Sequence, residues 1–200
     1  PNVAAGTLTL LLLPIFFSSP RHPLATKLIY LALIAFFLLS FSLYNFNIAW
    51  HAFDIPDWFP YRYSFLFSFL LIAIAFRAYL ALEPSDVPRL VKSYGALVTI
   101  VILLQKFAYP YLSPLVILAN LTVLTLYLGI LVLTLRHPAR RRVLSALLIL
   151  VILIETLFGS WYLIRRLNSQ FLYAERQEYR QTMSSLQLFT GGIQERDPGV

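Results

Sequence analysis

The chain has 200 residues, of which 59% are hydrophobic and 12% charged, and its formal net charge is +7. Soluble domains are about 45–50% apolar and about 25% charged, so this composition excludes a water-soluble globular fold. The mean hydropathy of +0.73 instead indicates a protein whose solvent is the lipid bilayer. Cysteine is absent, which excludes disulfide bonds and thiolate metal sites.

The positive charge comes from Lys and Arg in short segments between apolar runs and near the C-terminal end. Nucleic-acid-binding proteins concentrate such residues on one exposed face, so nucleic acid is not an expected partner. Short basic segments beside apolar runs are typical of the loops that set membrane topology.

Six apolar segments, taken in chain order, are predicted to be transmembrane helices. A helix that crosses the hydrocarbon core needs about 20 mostly apolar residues, and these segments meet or approach that length. The first is short and contains Pro14, and the sixth contains Glu155. The sequence therefore predicts an all-α fold, a polytopic transmembrane helical bundle over residues 1–165, with spans at residues 4–17, 28–44, 64–82, 94–105, 115–135 and 143–164.

Proline and charge separate these spans and predict loops, as in residues 83–92. After the last span, residues 166–200 mix apolar with polar positions, which predicts an extracellular segment with an interfacial helix that leads to a soluble domain. The chain begins at Pro1 and stops in hydrophilic sequence at Val200, so we expect a fragment of a longer protein.

The distribution of Lys and Arg predicts the orientation, because cytoplasmic loops carry the excess of these residues. Residues 18–27, 77–92 and 136–142 hold most of them, whereas the short loops on the opposite side offer only Arg62 and Lys106. Loop 45–63 and the C-terminal segment are therefore predicted to lie outside the bacterial cell membrane.

The most concentrated chemistry lies in the loop between the second and third predicted spans. Its rings surround Pro56 and Pro60, and they are Trp50, Phe53, Trp58, Phe59, Tyr61 and Tyr63. Such a cluster is ordinarily an interfacial aromatic belt. A belt needs no titratable groups, yet four lie among these rings: His51, Asp54, Asp57 and Arg62. Rings stack on sugars and an arginine fork suits a phosphate, so the loop also suits a lipid-linked sugar.

The predicted substrate-binding residues are therefore Trp50, His51, Trp58, Tyr61 and Arg62. No residue is assigned as catalytic, and the candidates are Asp54, Asp57 and His51. Each has an alternative role: His51 as a hydrogen-bonded structural residue, Arg62 as the counter-charge of the two aspartates, and the aspartates as solvated turn residues. Glu155 either lines a cavity or makes an interhelical hydrogen bond, because an unpaired charge inside a span is costly. No metal site is predicted.

The loop resembles a pattern of the YfhO-like bacterial membrane proteins, which is close to Trp-His-Gly-Phe-x-x-Pro-x-x-Phe-Pro-Tyr-Arg-Tyr/Phe-Ser-Phe. The matching residues here are Trp50-His51-Ala52-Phe53, Pro56 and Phe59-Pro60-Tyr61-Arg62-Tyr63-Ser64-Phe65. Ala52 replaces the usual glycine, which affects only the local turn. The resemblance extends over essentially the whole chain, through Pro1-Asn-Val, Glu155 and Asp197-Pro198-Gly199.

YfhO-like proteins resemble multispan GT-C glycosyltransferases, and members are implicated in adding sugars to teichoic acids outside the cell. The resemblance implies a central GT-C fragment whose partners are membrane lipid, a polyprenyl-phosphate sugar donor and a cell-wall polymer acceptor. It also implies that the catalytic carboxylate lies in an external loop upstream of this chain. The cofactor is not identified by the sequence, and a divalent cation is a candidate. The alternative is a non-catalytic flippase or transporter subunit for lipid-linked glycans, in which Glu155 and the aromatic loop line the path.

Overall fold

The computed structural model describes residues 3–54, 61–107, 114–170, 180–181 and 183–186, and of residues 166–170 it describes the backbone alone. Throughout these ranges the regular structure is helical, which confirms the all-α prediction. Two single-turn 3-10 helices, Pro84–Asp86 and Pro138–Arg140, precede longer helices. The α-helices are α1 Thr7–Ser18, α2 Leu24–Ser42, α3 Tyr44–Trp50, α4 Ser64–Leu80, α5 Val87–Lys106, α6 Pro114–Arg136 and α7 Arg141–Gln170.

Six apolar helices overlap the six predicted spans, but these helices differ in length. Four helical segments are long and apolar enough to cross a membrane, namely Leu24–Ser42, Pro84–Lys106, Pro114–Arg136 and Pro138–Arg165. The helices α1 and α4 have 12 and 17 residues. At about 1.5 Å per residue, α1 extends only about 18 Å, which is well short of the roughly 30 Å hydrocarbon core.

Several predicted boundaries differ from the observed ones. The helix α5 begins at Val87, so more than half of the predicted loop 83–92 is α-helical. The prediction was wrong because it treated Pro88 as a helix breaker, whereas proline in the first turn of a helix removes no intrahelical hydrogen bond. Loop 45–63 begins with the helix α3, and α7 continues past residue 164 to Gln170 because no proline or glycine interrupts it there.

The chain divides into two compact units, Pro1–Thr156 and Leu157–Val200. In the first unit α1 is the central element and packs against α4, α5 and α6. Its side chains Leu11, Leu12, Ile15 and Phe16 are at most 2% exposed. Many apolar side chains of α2, by contrast, are more than half exposed, as expected for a surface in contact with lipid acyl chains. In the second unit, the Arg165 guanidinium lies over the Trp161 ring at 4.3 Å.

Candidate functional site

Six aromatic rings from α2, α3, α4 and the loop before α4 pack together, and we call them the aromatic wall. At its centre the Trp50 ring lies parallel to that of Tyr63, with centroids 4.7 Å apart and an interplanar angle of 12°. Phe37 lies on Trp50 at 6.0 Å and Phe41 on Tyr63 at 5.3 Å, both nearly parallel. The remaining members are Tyr61 and Phe67. Parallel stacking joins the two ends of the loop and gives the wall a defined shape.

Tyr63 anchors the wall to α2. Its side chain is buried, and its hydroxyl donates a 2.7 Å hydrogen bond to the Ser40 carbonyl oxygen. The Ser40 carbonyl lies in the last turn of α2, where carbonyl groups have no intrahelical donor, so the tyrosine supplies the missing partner. Burial, reinforced by Tyr61, raises the pKa of Tyr63 above its ordinary value, which keeps the hydroxyl protonated as a donor.

The predicted binding rings occupy unequal positions in this wall. Trp50 packs its faces against Phe37 and Tyr63, so it supports the wall and presents mainly its edge. Phe53, which was not among the predicted binding residues, is 83% exposed and is free to contact a ligand. Trp58 and Asp57 lie outside the described residues, and their predicted roles stay predictions.

The turn after α3 shows why the family pattern has glycine at the position that Ala52 occupies here. The Phe53 N–H donates to the Ile48 carbonyl at 3.0 Å, which is the hydrogen bond of a Schellman motif at a helix C-terminus. Ala52 therefore occupies the position that usually holds glycine, and it has a φ of 55°. Because an L side chain is strained in this left-handed region, the glycine of the family pattern has a conformational cause.

His51 is held by α3. Its Nδ1 lies 2.8 Å from the Asn47 carbonyl oxygen, which can only accept, so Nδ1 carries the proton and the lone pair of a neutral ring lies on Nε2. That Nε2 and the side-chain oxygen Oδ1 of Asn47 are both buried and have no hydrogen-bond partner among the described residues. Asn47 is only 8% exposed. Because the two residues are four apart at the end of α3, we expect their side chains to lie on the same side of that helix.

The predicted charged residues of the loop are described only in part. The Asp54 N–H donates to the His51 carbonyl at 3.1 Å, which makes Asp54 part of the turn after α3. Arg62 lies between Tyr61 and Tyr63 of the wall. In the described ranges no group of three His, Asp or Glu side chains could hold a metal ion. The predicted roles of Asp54 and Arg62 toward substrate stay predictions.

Glu155 makes hydrogen bonds with both of its carboxylate oxygens. Oε1 accepts the Thr7 N–H at 2.8 Å, and Oε2 accepts the Tyr127 hydroxyl at 2.6 Å. Thr7 is the first residue of α1, so the carboxylate lies at the positive end of that helix dipole. Gly6, which turns the chain into α1 with a φ of 76°, passes next to the same carboxylate. Glu155 thus makes the interhelical contact that was one of its two predicted roles.

The short segment before α1 connects Glu155 with the aromatic wall. The Ala4 N–H donates to Ser68 Oγ of α4 at 3.1 Å, and Ala5 packs against the wall. Three residues later, Thr7 meets Glu155. Two features that are about 100 residues apart in the sequence are therefore neighbours at one end of the first unit.

The opposite ends of these helices carry an ionic cluster that the sequence analysis treated only as topology signals. Arg21 pairs with Asp86 at 2.5 Å and with Glu83 at 2.6 Å, and Arg89 pairs with Asp86 at 2.5 Å. Asp86 is completely buried. The Glu83–Asp86 spacing is that of a capping box, a signal that was present in the sequence, but the partner Arg21 lies 65 residues away.

His22 lies beside this cluster. Its ring stacks on Phe16 at 4.3 Å, and its Nε2 is buried without a partner in the described part of the chain. Burial, together with the positive charges of Lys27, Arg77 and Arg21, lowers the pKa of His22 below its ordinary value. The ring is therefore neutral at pH 7, which lets it pack as an apolar group.

A family model described as the bacterial membrane protein YfhO matches residues 1–199. Comparison with curated proteins and with solved structures gives no match. The family match agrees with the apolar helices and confirms the resemblance carried by residues 50–65. It also agrees with a location in a membrane, while the sidedness of loop 45–63 stays a prediction. The chain belongs to the YfhO family of bacterial membrane proteins.

Proposed function

We propose that this chain is part of a cell-surface glycosyltransferase that moves a sugar from a polyprenyl-phosphate donor to a wall polymer such as teichoic acid. The observation that carries the proposal is the pair of buried acceptors beside the aromatic wall, Asn47 Oδ1 and His51 Nε2. A buried polar atom without a partner is costly, so such a pair favours a ligand that donates hydrogen bonds. Sugar hydroxyl groups are donors of this kind.

The wall supplies the complementary apolar surface. The exposed ring of Phe53, three residues after Trp50 of the wall, offers a face to a sugar. Arg62 stands between Tyr61 and Tyr63 of the wall in the sequence, and we propose that its planar fork pairs with the donor phosphate. Together, the acceptors, the ring and the guanidinium match the hydroxyl groups, the ring face and the phosphate of a lipid-linked sugar.

The chemical step needs a base on the acceptor hydroxyl and a counter-charge for the departing phosphate. Arg62 is proposed to supply the positive charge. In the family the carboxylate base is expected in an external loop upstream of this chain. We therefore propose that the wall binds and orients the donor, and that His51 and Asn47 hold its hydroxyl groups.

Transport of the lipid-linked glycan is the competing function, and the contacts of Glu155 argue against it. Both carboxylate oxygens of Glu155 already accept hydrogen bonds. A translocation path lined by Glu155 would therefore require breaking the hydrogen bonds with Thr7 and Tyr127. The deciding experiment gives the purified full-length protein a polyprenyl-phosphate sugar and undecorated wall polymer, without an ion gradient. Modified polymer supports the enzyme, whereas movement of the donor between leaflets without transfer refutes it.

Two substitutions locate the site within that assay. Asn47→Leu is expected to lower kcat/KM about tenfold, the equivalent of one hydrogen bond of about 1.4 kcal/mol. Asn45→Leu is the matched control, because Asn45 lies on the same helix but is exposed. Arg62→Lys keeps the charge and loses the planar fork, so it is expected to slow transfer at limiting donor. Equal effects of the two asparagine substitutions, or unchanged donor use by Arg62→Lys, would contradict the assignment.

A further inference from the structure

A groove of about 220 Å³ opens between the end of α4 and the end of α6. Its walls are mainly apolar, with Tyr79 and Leu82 on one side and Leu131 and Leu135 on the other, and Arg141 lines it as well. Small-molecule sites usually measure about 300–1,000 Å³, so this groove suits one chain of a ligand better than a whole compact molecule. Apolar walls next to a guanidinium match an amphipathic ligand with a negative head.

The turn that borders this groove is strongly positive. Arg136, Arg140, Arg141 and Arg142 are all exposed, and no carboxylate forms an ion pair with any of them within the described ranges. The cluster around Asp86 behaves differently, because its two arginines are neutralised by acids. The α6–α7 turn therefore retains its whole positive charge for an external partner.

Two of these arginines also lie at the N-terminus of a helix. Arg141 and Arg142 form the first turn of α7, and no acidic residue lies in that turn. Positive side chains at the positive end of a helix dipole are unfavourable, whereas an anion there is stabilised. A phosphate bound on Arg141 would satisfy the helix end and that side chain at once.

We propose that this groove binds an anionic glycerophospholipid of the surrounding bilayer, with one acyl chain between α4 and α6 and the phosphate on Arg141. The groove lies at helix ends, which is the depth of lipid headgroups if these helices span the membrane. A soluble anion would use the arginines but leave the apolar walls exposed to water. The lipid uses both, and the site is independent of the proposed transferase activity.

Native mass spectrometry of the full-length protein tests this site. The protein is incubated with equimolar phosphatidylglycerol and phosphatidylcholine of identical acyl chains, and bound adducts are compared. Phosphatidylglycerol is expected to dominate, and Arg141→Ala should reduce its adduct about fivefold, the effect of one basic residue at a membrane surface. Arg142→Ala removes the same charge one residue away from the groove lining and should change the adduct less than about twofold.

A third variant tests the groove itself. Thr134 lines the groove, and Thr134→Phe fills it without changing any charge. The phosphatidylglycerol adduct should therefore fall at least as much as in Arg141→Ala. Because Arg141 and Arg142 are exposed, their substitution removes no packed side chain, and the comparison stands even if Thr134→Phe fails to fold. Equal losses from the two arginine variants, full retention by a folded Thr134→Phe protein, or displacement of the lipid by inorganic phosphate would each overturn the proposal.

Discussion

Replacing Glu155 with leucine leaves two hydrogen-bond donors of the helical bundle without an acceptor. The Thr7 N–H and the Tyr127 hydroxyl lie 2.8 and 2.6 Å from the carboxylate oxygens, and Tyr127 is completely buried. Hydrogen bonds between membrane helices contribute about 0.6 kcal/mol on average, whereas those to a charged group contribute about 1.5–3 kcal/mol. The charged acceptor and the short distances favour the second range, so we expect Glu155→Leu to lower the free energy of unfolding by about 3 kcal/mol.

The assay is denaturant unfolding of the purified protein in detergent micelles. Thr156→Val is the control, because Thr156 is exposed and its hydroxyl bonds only to the Ile152 carbonyl of its own helix. It should change the free energy of unfolding by less than about 0.5 kcal/mol. In a double-mutant cycle, Tyr127→Phe should cost much less once Glu155 is gone. Strictly additive effects, or a Glu155→Leu protein as stable as the control, would refute the assigned contacts.

Three further predictions concern stability and involve residues in the segments between the long helices. Ala52→Gly is expected to stabilise the protein by about 1 kcal/mol, because it relieves the left-handed strain, and a lower thermal midpoint would contradict the Schellman assignment. Asp86→Asn should lower the free energy of unfolding by about 3 kcal/mol. This is the lower end for a broken buried ion pair, because Arg21 and Arg89 remain partly in water. Glu83→Gln should lower it less, and thermal unfolding of the two variants makes the comparison. The free energy of unfolding should fall as the pH drops below about 6.5, because His22 binds a proton more readily in the unfolded chain than in the fold, where its pKa is lowered. His22→Gln should make the free energy of unfolding depend less on pH in this range. An unchanged pH dependence would contradict the placement of His22.

The fold was largely predictable because its strongest signals are local. Long uncharged runs, such as residues 28–44 and 115–135, predict their own helices, and every predicted span overlaps an apolar helix. The errors occur where a local signal has two meanings. A proline such as Pro88 is compatible both with a loop and with the first turn of a helix, and here it lies in the first turn of α5. The residues after Leu43 form the short helix α3 before the turn begins.

The candidate site was harder to predict because its contacts join distant parts of the chain. The aromatic residues were evident from the loop, but the stacking of Phe37 on Trp50 requires the helix packing. Nothing near Glu155 in the sequence indicates that its partner is the first turn of α1, 148 residues away. Asn47 carried no signal at all until the structure placed it, buried, on the same helix face as His51.

The most direct test of the central claim is the labelling of Phe53→Cys, because the chain contains no cysteine and Phe53, three residues after Trp50 of the wall, is 83% exposed. The full-length protein, with any cysteine outside this chain replaced, is treated in intact cells with a membrane-impermeant maleimide, and His137→Cys serves as the comparison on the basic side. In purified protein, labelling is then repeated with a polyprenyl-phosphate sugar and with the polyprenol alone. We expect Phe53→Cys to label in intact cells, His137→Cys only after permeabilisation, and the sugar donor alone to slow labelling at position 53. Labelling of Phe53→Cys only after permeabilisation, or equally fast with and without donor, would contradict an external donor-binding wall.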